Sequence, residues 1–150
     1  IAFTGTLKQG FGGVTAANDA FLATSDATGV PALIAREGGP APGLAGFSFV
    51  KINWFFLTGN GAVYFHAKAS DGTLSRQGVW KYEGSLTLVA AQGVPLVTEL
   101  GTRLVSKIGK PTATGTARDQ ARVGNAAGEL VLFITFTDGT KQLLRFPAAS

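Results

Sequence analysis

Apolar and polar residues alternate with a period of two along much of this chain, the pattern of half-buried β-strands. At the start, Ile1, Phe3, Gly5 and Leu7 share one face and Ala2, Thr4 and Thr6 the other. The same grammar returns later. Residues 61–73 and 128–140 align position for position, 67 residues apart. Gly61 matches Gly128, Val63 matches Leu130, Phe65 matches Leu132, and Asp71-Gly72-Thr73 matches Asp138-Gly139-Thr140. Leu33–Pro40 likewise aligns with Leu88–Pro95.

The alternation predicts strands over 1–7, 21–24, 32–37 and 47–52, with 53–57 extending or bending the last. It predicts further strands over 63–69, 78–82, 86–91 and 104–108, then over 130–136 and 143–146. That makes ten strands, grouped four, four and two. Turn residues separate them: Asp26–Gly29, Thr58–Gly61, Ser70–Thr73, Glu83–Ser85 and Asp138-Gly139. Pro40 and Pro42 end the third strand, because proline removes a ladder donor and fixes φ. Residues 96–124 are less regular, with a loop over 111–116.

The expected fold is all-β: tandem four-stranded antiparallel repeats forming a propeller-like segment. A β-sandwich or open barrel is the alternative. Copy one spans 1–62, copy two 63–129 and a partial copy three 130–150, all in a single repeat region. The face holding Ile1/Phe3/Leu7, Val63/Phe65/Ala67 and Leu130/Leu132/Ile134/Phe136 is apolar in every copy and is expected to form the core. The opposite face is mixed (Tyr64/His66/Lys68, Val131/Phe133/Thr135). So few strand positions carry charge that stacked sheets, covered on both faces, fit better than a two-sheet sandwich.

Composition agrees with a packed domain. Hydrophobic residues make up 45% and charged residues 15%, which opposes disorder. With no cysteine there is no disulfide, no thiolate metal site and no thiol catalysis. Methionine is absent even from position 1, as expected of a processed product or a piece of a longer chain. No window reaches the ~18 uninterrupted apolar residues of a membrane helix, so membrane insertion is not expected.

The net charge is +4. The basic residues are scattered except for Arg103, Lys107, Lys110, Arg118 and Arg122. No aromatics interleave them as single-stranded nucleic-acid binding requires. They read as a solvated stretch, and no nucleic-acid partner is expected.

Candidate chemistry is sparse. His66 is the single histidine, so any nucleophilic triad would have to use it. No nucleophile motif accompanies it, and it reads as a packing residue. The acids sit mostly in turns, where aspartate caps backbone amides. No loop has the alternating acids of a calcium site. Neither a catalytic residue, a metal site nor a cofactor is expected, and the chain does not read as an enzyme. Trp54, Trp80 and Tyr82 are the ligand-binding candidates, since exposed aromatics stack on sugar rings. Filling the space between stacked sheets is the plainer role for them.

Two motifs carry a resemblance. One is Gly12-Gly13-Val14-Thr15-Ala16-Ala17-Asn18-Asp19; the other is Leu33-Ile34-Ala35-Arg36-Glu37-Gly38-Gly39-Pro40-Ala41-Pro42-Gly43. With the Ile1-Ala2-Phe3 strand they resemble tandem-repeat, choice-of-anchor-type surface proteins of environmental bacteria. The match is good over roughly the first 65 residues and weaker beyond. It implies an exported, extracellular or cell-surface β-propeller-like protein and supplies no catalytic residues. Copy two departs from the motif, with Ala91-Gln92 in place of Arg36-Glu37. The Arg36-Glu37 pair is therefore expected to be a strand-end ion pair of small worth.

The function expected is a non-catalytic structural or protein-interaction module. A carbohydrate-binding module, with polysaccharide as partner, is the alternative. Two and a half repeats cannot close a propeller, which needs at least ~4 blades. Self-association, or pairing with other repeats of the same protein, is therefore expected.

Overall fold

The computed structural model describes residues 1–109 and 127–146. Those residues are all-β, with eleven strands in three antiparallel sheets. Sheet 1 holds β1 (Ala2–Thr6), β2 (Ala20–Ser25) and β3 (Pro31–Arg36). Sheet 2 holds β4 (Ser48–Leu57), β5 (Val63–Ser70), β6 (Ser75–Tyr82) and β7 (Leu86–Ala91). Sheet 3 holds β8 (Pro95–Thr98), β9 (Gly101–Gly109), β10 (Leu130–Phe136) and β11 (Lys141–Phe146). Each strand pairs only with its neighbours in sequence, so every sheet is a meander.

The turns follow from their residues. Asp71 Oδ1 accepts from the Thr73 and Leu74 amides at 2.8 and 2.7 Å. Asp138 and Asp26 accept from the Thr140 and Thr28 amides at 2.9 and 2.8 Å. The Thr28 and Thr140 hydroxyls donate to Asp26 and Asp138 as well, at 2.6 Å each, and these hydrogen bonds, the hydroxyl ones foremost at those two, hold all three exposed carboxyls below the ordinary aspartate value.

The sheets stack in chain order. One apolar cluster joins sheets 1 and 2: Leu22, Ile34 and Ala35 meet Phe49, Val63, Phe65, Ala67 and Trp80. A second joins sheets 2 and 3: Tyr64, Val79 and Ala90 meet Val105, Ile108, Leu130, Leu132, Ile134 and Phe136. Sheet 2 is thus covered on both faces. Alternation along β5 sends Phe65 into one cluster and Tyr64 into the other.

Three expectations meet the structure here, the first and third as corrections. First, β8 was missed. Pro95 and a length of four residues hide it. Proline is tolerated there because β8 is an edge strand. Second, residues 48–57 form one ten-residue strand, so 53–57 extend it, one of the two forms expected. Its register on β5 shifts at Phe49/Lys51 and again at Ile52/Trp54, which breaks the simple alternation. Third, the Ile1/Phe3/Leu7 face is not core. Sheet 1 ends the stack, so it buries Leu22 and partly covers Ala2 on its inner face and leaves Ile1 and Leu33 exposed. The 111–116 loop, along with Lys110, Arg118 and Arg122 of the basic stretch, lies outside the described residues.

The sheets run one strand out of step with the sequence copies. β4, the last strand of copy one, joins β5–β7, and β9 of copy two joins β10 and β11. Both crossings are anchored alike. The Gly38 amide donates to the Phe49 carbonyl at 2.7 Å and the Phe49 amide to the Gly39 carbonyl at 2.8 Å. Gly93, Val105 and Val94 repeat the pair at 2.8 and 3.2 Å.

Candidate functional site

The three aromatic candidates do not converge. Trp80 is fully buried between sheets 1 and 2. Its indole Nε1–H donates to the Pro42 carbonyl at 2.8 Å, and its ring contacts Phe49 and Phe65. It offers no surface to a ligand, so the expectation of an exposed stacking residue fails at this position. Tyr82, half-buried, packs on the same cluster. Trp54 packs against the other cluster, on the opposite face of sheet 2. Alternation is the cause: β5 residues Phe65 and His66 pair with Trp80 and Trp54 respectively, and they point to opposite faces.

Trp54 belongs to a different grouping. Its ring stacks on His66 at a centroid distance of 5.5 Å and an interplanar angle of 14°. The Asn53 side-chain amide lies 2.9 Å from His66 Nδ1. With Nδ1 accepting from Asn53, the imidazole is neutral. Burial holds its pKa below the ordinary histidine value, opposed by a side-chain hydrogen bond with Gln77. The unfolded chain therefore binds a proton at a pH where the folded chain does not. Stability is then lost as pH falls from about 6.5, the unfolded histidine value. Glu37 acts in the reverse sense, because burial and the Asp19 charge raise its pKa. We expect the melting temperature to fall between pH 7 and pH 5.5 and His66→Gln to flatten that slope, as read by calorimetric scans of both proteins.

Next to Trp54 lies a cleft of about 520 Å³. Thr4, Gly5 and Thr6 of β1, Ala20 and Phe21 of β2, and Ile52–Phe55 of β4 line it. It opens where the edge of sheet 1 faces the edge of sheet 2. Sequence reasoning missed this cleft, because nothing local in 4–6 or 52–55 says that the two segments meet.

Other polar residues are structural ties. Arg36 does not pair with Glu37 as expected. Its guanidinium reaches the other way, and Nε donates to the Asn18 carbonyl at 2.6 Å. Lys81 is buried under Tyr64 and lies 2.6 Å from the Glu83 carboxylate. The Tyr64 hydroxyl donates to the Gly128 carbonyl at 2.8 Å, linking sheet 2 to the turn before β10. Arg103 donates to Thr140 and lies 3.7 Å from Asp138. Among the described residues no group of three His, Asp or Glu side chains could hold a metal ion. No described helix is long and apolar enough to cross a membrane.

No curated protein and no solved structure matches the chain. A family model matches residues 1–143, nearly the whole sequence. The chain therefore belongs to that family, a family of unknown function, DUF7453.

Proposed function

We propose that this chain is a non-catalytic structural and protein-interaction module of an exported or cell-surface protein. It works by associating with further copies, or with repeats of the same kind, and its three sheets are consecutive members of a propeller-like array. One observation carries the reading: sheet 2 is enclosed on both faces, whereas each outer sheet leaves an apolar face open among the described residues. On sheet 1 that face holds Leu33, 61% exposed, beside Phe3 and Phe21 in edge-to-face contact. On sheet 3 it holds the cross-strand pair Phe133 and Leu143, 41% and 64% exposed. Apolar patches of this kind mark interaction surfaces. The surface-protein resemblance of the Leu33–Gly43 motif supports the exported setting.

Sedimentation velocity across a hundredfold concentration range tests the reading. We expect mass to rise with concentration, and Leu33→Lys or Phe133→Lys to reduce that rise. A monomer unchanged across the range would overturn it, as would a saturable signal on a glycan array.

A further inference from the structure

We infer that the edge of β1 left unpaired among the described residues is a receptor for one added strand: an extended polypeptide segment of the β9 type, with apolar residues such as Val105 and Ile108 on its inward side. This deepens the interaction-module reading and rests on it. Four observations carry it.

The first is strand count. β5 is flanked by β4 and β6, and β10 by β9 and β11, but among the described residues β1 is flanked by β2 alone. β1, β5 and β10 are the strands whose sequences align. The place taken by β4 in sheet 2 and by β9 in sheet 3 has no described occupant in sheet 1.

The second is backbone phase. The Ile1 ammonium donates to the Ser25 carbonyl and the Ser25 amide to the Ile1 carbonyl, both at 2.9 Å. The Leu7 amide donates to the Asp19 carbonyl at 2.8 Å. In an antiparallel ladder these pairs alternate. The odd residues of β1 therefore face β2, and Ala2, Thr4 and Thr6 point their N–H and C=O groups outward. Three donor–acceptor pairs stand ready for another strand.

The third is the cleft. Thr4, Gly5 and Thr6 form one wall and Ile52–Phe55 the other. Inward side chains of a strand added beside β1 would enter this space, against Ile52 and Phe55, which face the sheet 1–sheet 2 cluster. Backbone pairing would give affinity, and the cleft would select for apolar inward residues.

The fourth is the lack of protection. Sheet edges are ordinarily blunted by charge, proline or irregular register. β3 begins with Pro31, β4 carries Lys51, and β8 begins with Pro95. β11 carries Lys141 and Arg145, and the β7 pairing has a register shift. β1 is Ala2-Phe3-Thr4-Gly5-Thr6, with no charge, no proline and an unbroken register.

The test uses the full 150-residue chain and a capped peptide with the sequence of residues 101–109. Amide hydrogen exchange of the protein is followed by NMR. Saturating peptide is expected to slow exchange at Ala2, Thr4 and Thr6 at least tenfold, with no change at β11. The same peptide N-methylated at alternate amides should give no protection, a control that leaves the protein unaltered. Thr4→Pro removes one outward donor without touching the β1–β2 ladder and should weaken peptide binding at least tenfold. Equal protection by the methylated peptide, or none at millimolar peptide, would overturn the inference. Protection that rises with protein concentration alone would overturn it in favour of pairing between copies. Self-association that persists in Thr4→Pro, with no peptide effect, would reject the strand receptor while leaving the module reading intact.

Discussion

Trp80→Ala is expected to be the most destabilising single truncation in the chain. The indole is fully buried, with ring centroids 4.9 Å from Phe49 and 5.9 Å from Phe65. Removing a buried tryptophan costs about 3–5 kcal/mol, through lost transfer energy and the cavity left behind. That is a large part of the ~5–15 kcal/mol that holds a typical domain together. Because Trp80 bridges sheet 2 to the Pro42 carbonyl, the loss is felt in both layers. The midpoint of urea unfolding should fall steeply. Trp80→Phe refills much of the volume but strands the Pro42 carbonyl, so it should fall between wild type and alanine, by about 1–3 kcal/mol. If Trp80→Ala unfolds at the wild-type midpoint, the sheet 1–sheet 2 cluster is not the core described.

Gly43→Ala is expected to have the second-largest effect, and a neighbouring glycine separates its causes. Gly43 has φ of +82°, and a Cβ there would lie 2.6 Å from the Leu88 Cβ. Gly46 has φ of +80° but open space around it. Alanine in the left-handed region costs about 1–2 kcal/mol at either position. At Gly43 the overlap with Leu88 adds about 1–3 kcal/mol of overpacking. Equilibrium unfolding of both variants should show Gly43→Ala well below Gly46→Ala. Equal midpoints would mean that the Gly43–Leu88 approach is not tight.

Both residues show what was legible in the sequence. Alternation placed Trp80 on a strand, and Pro40 and Pro42 ended the strand ahead of Gly43, because those are local properties. It could not decide whether the Trp80 face was covered. Burial depends on which sheet lies opposite, and that partner, built around Leu22 and Ile34, is distant in sequence. The same blindness put Ile1 and Phe3 in the core: their pattern matches Val63 and Phe65, but they sit on the last layer of the stack. β8 escaped notice because four residues starting with proline carry almost no periodic signal. The β4 register shifts blurred Ile52–Leu57, and that irregular segment proved to be one wall of the cleft. Turn chemistry was the most legible part, since Asp26, Asp71 and Asp138 act within a few residues of themselves.

The meander pairing bears on how the chain acquires its structure. No ladder among the described residues joins strands that are not consecutive, so no sheet waits for a distant segment. Early contacts close short loops, which favours rapid nucleation. Sheet 1 can pair its three strands as soon as residue 36 is available, and each later sheet can then condense on the one before it. Sheet 2 is the exception within this order. Its Tyr64 face stays wet until Leu130–Phe136 arrives, more than sixty residues later in the sequence. During synthesis, that face is where a half-made chain would be most prone to aggregate.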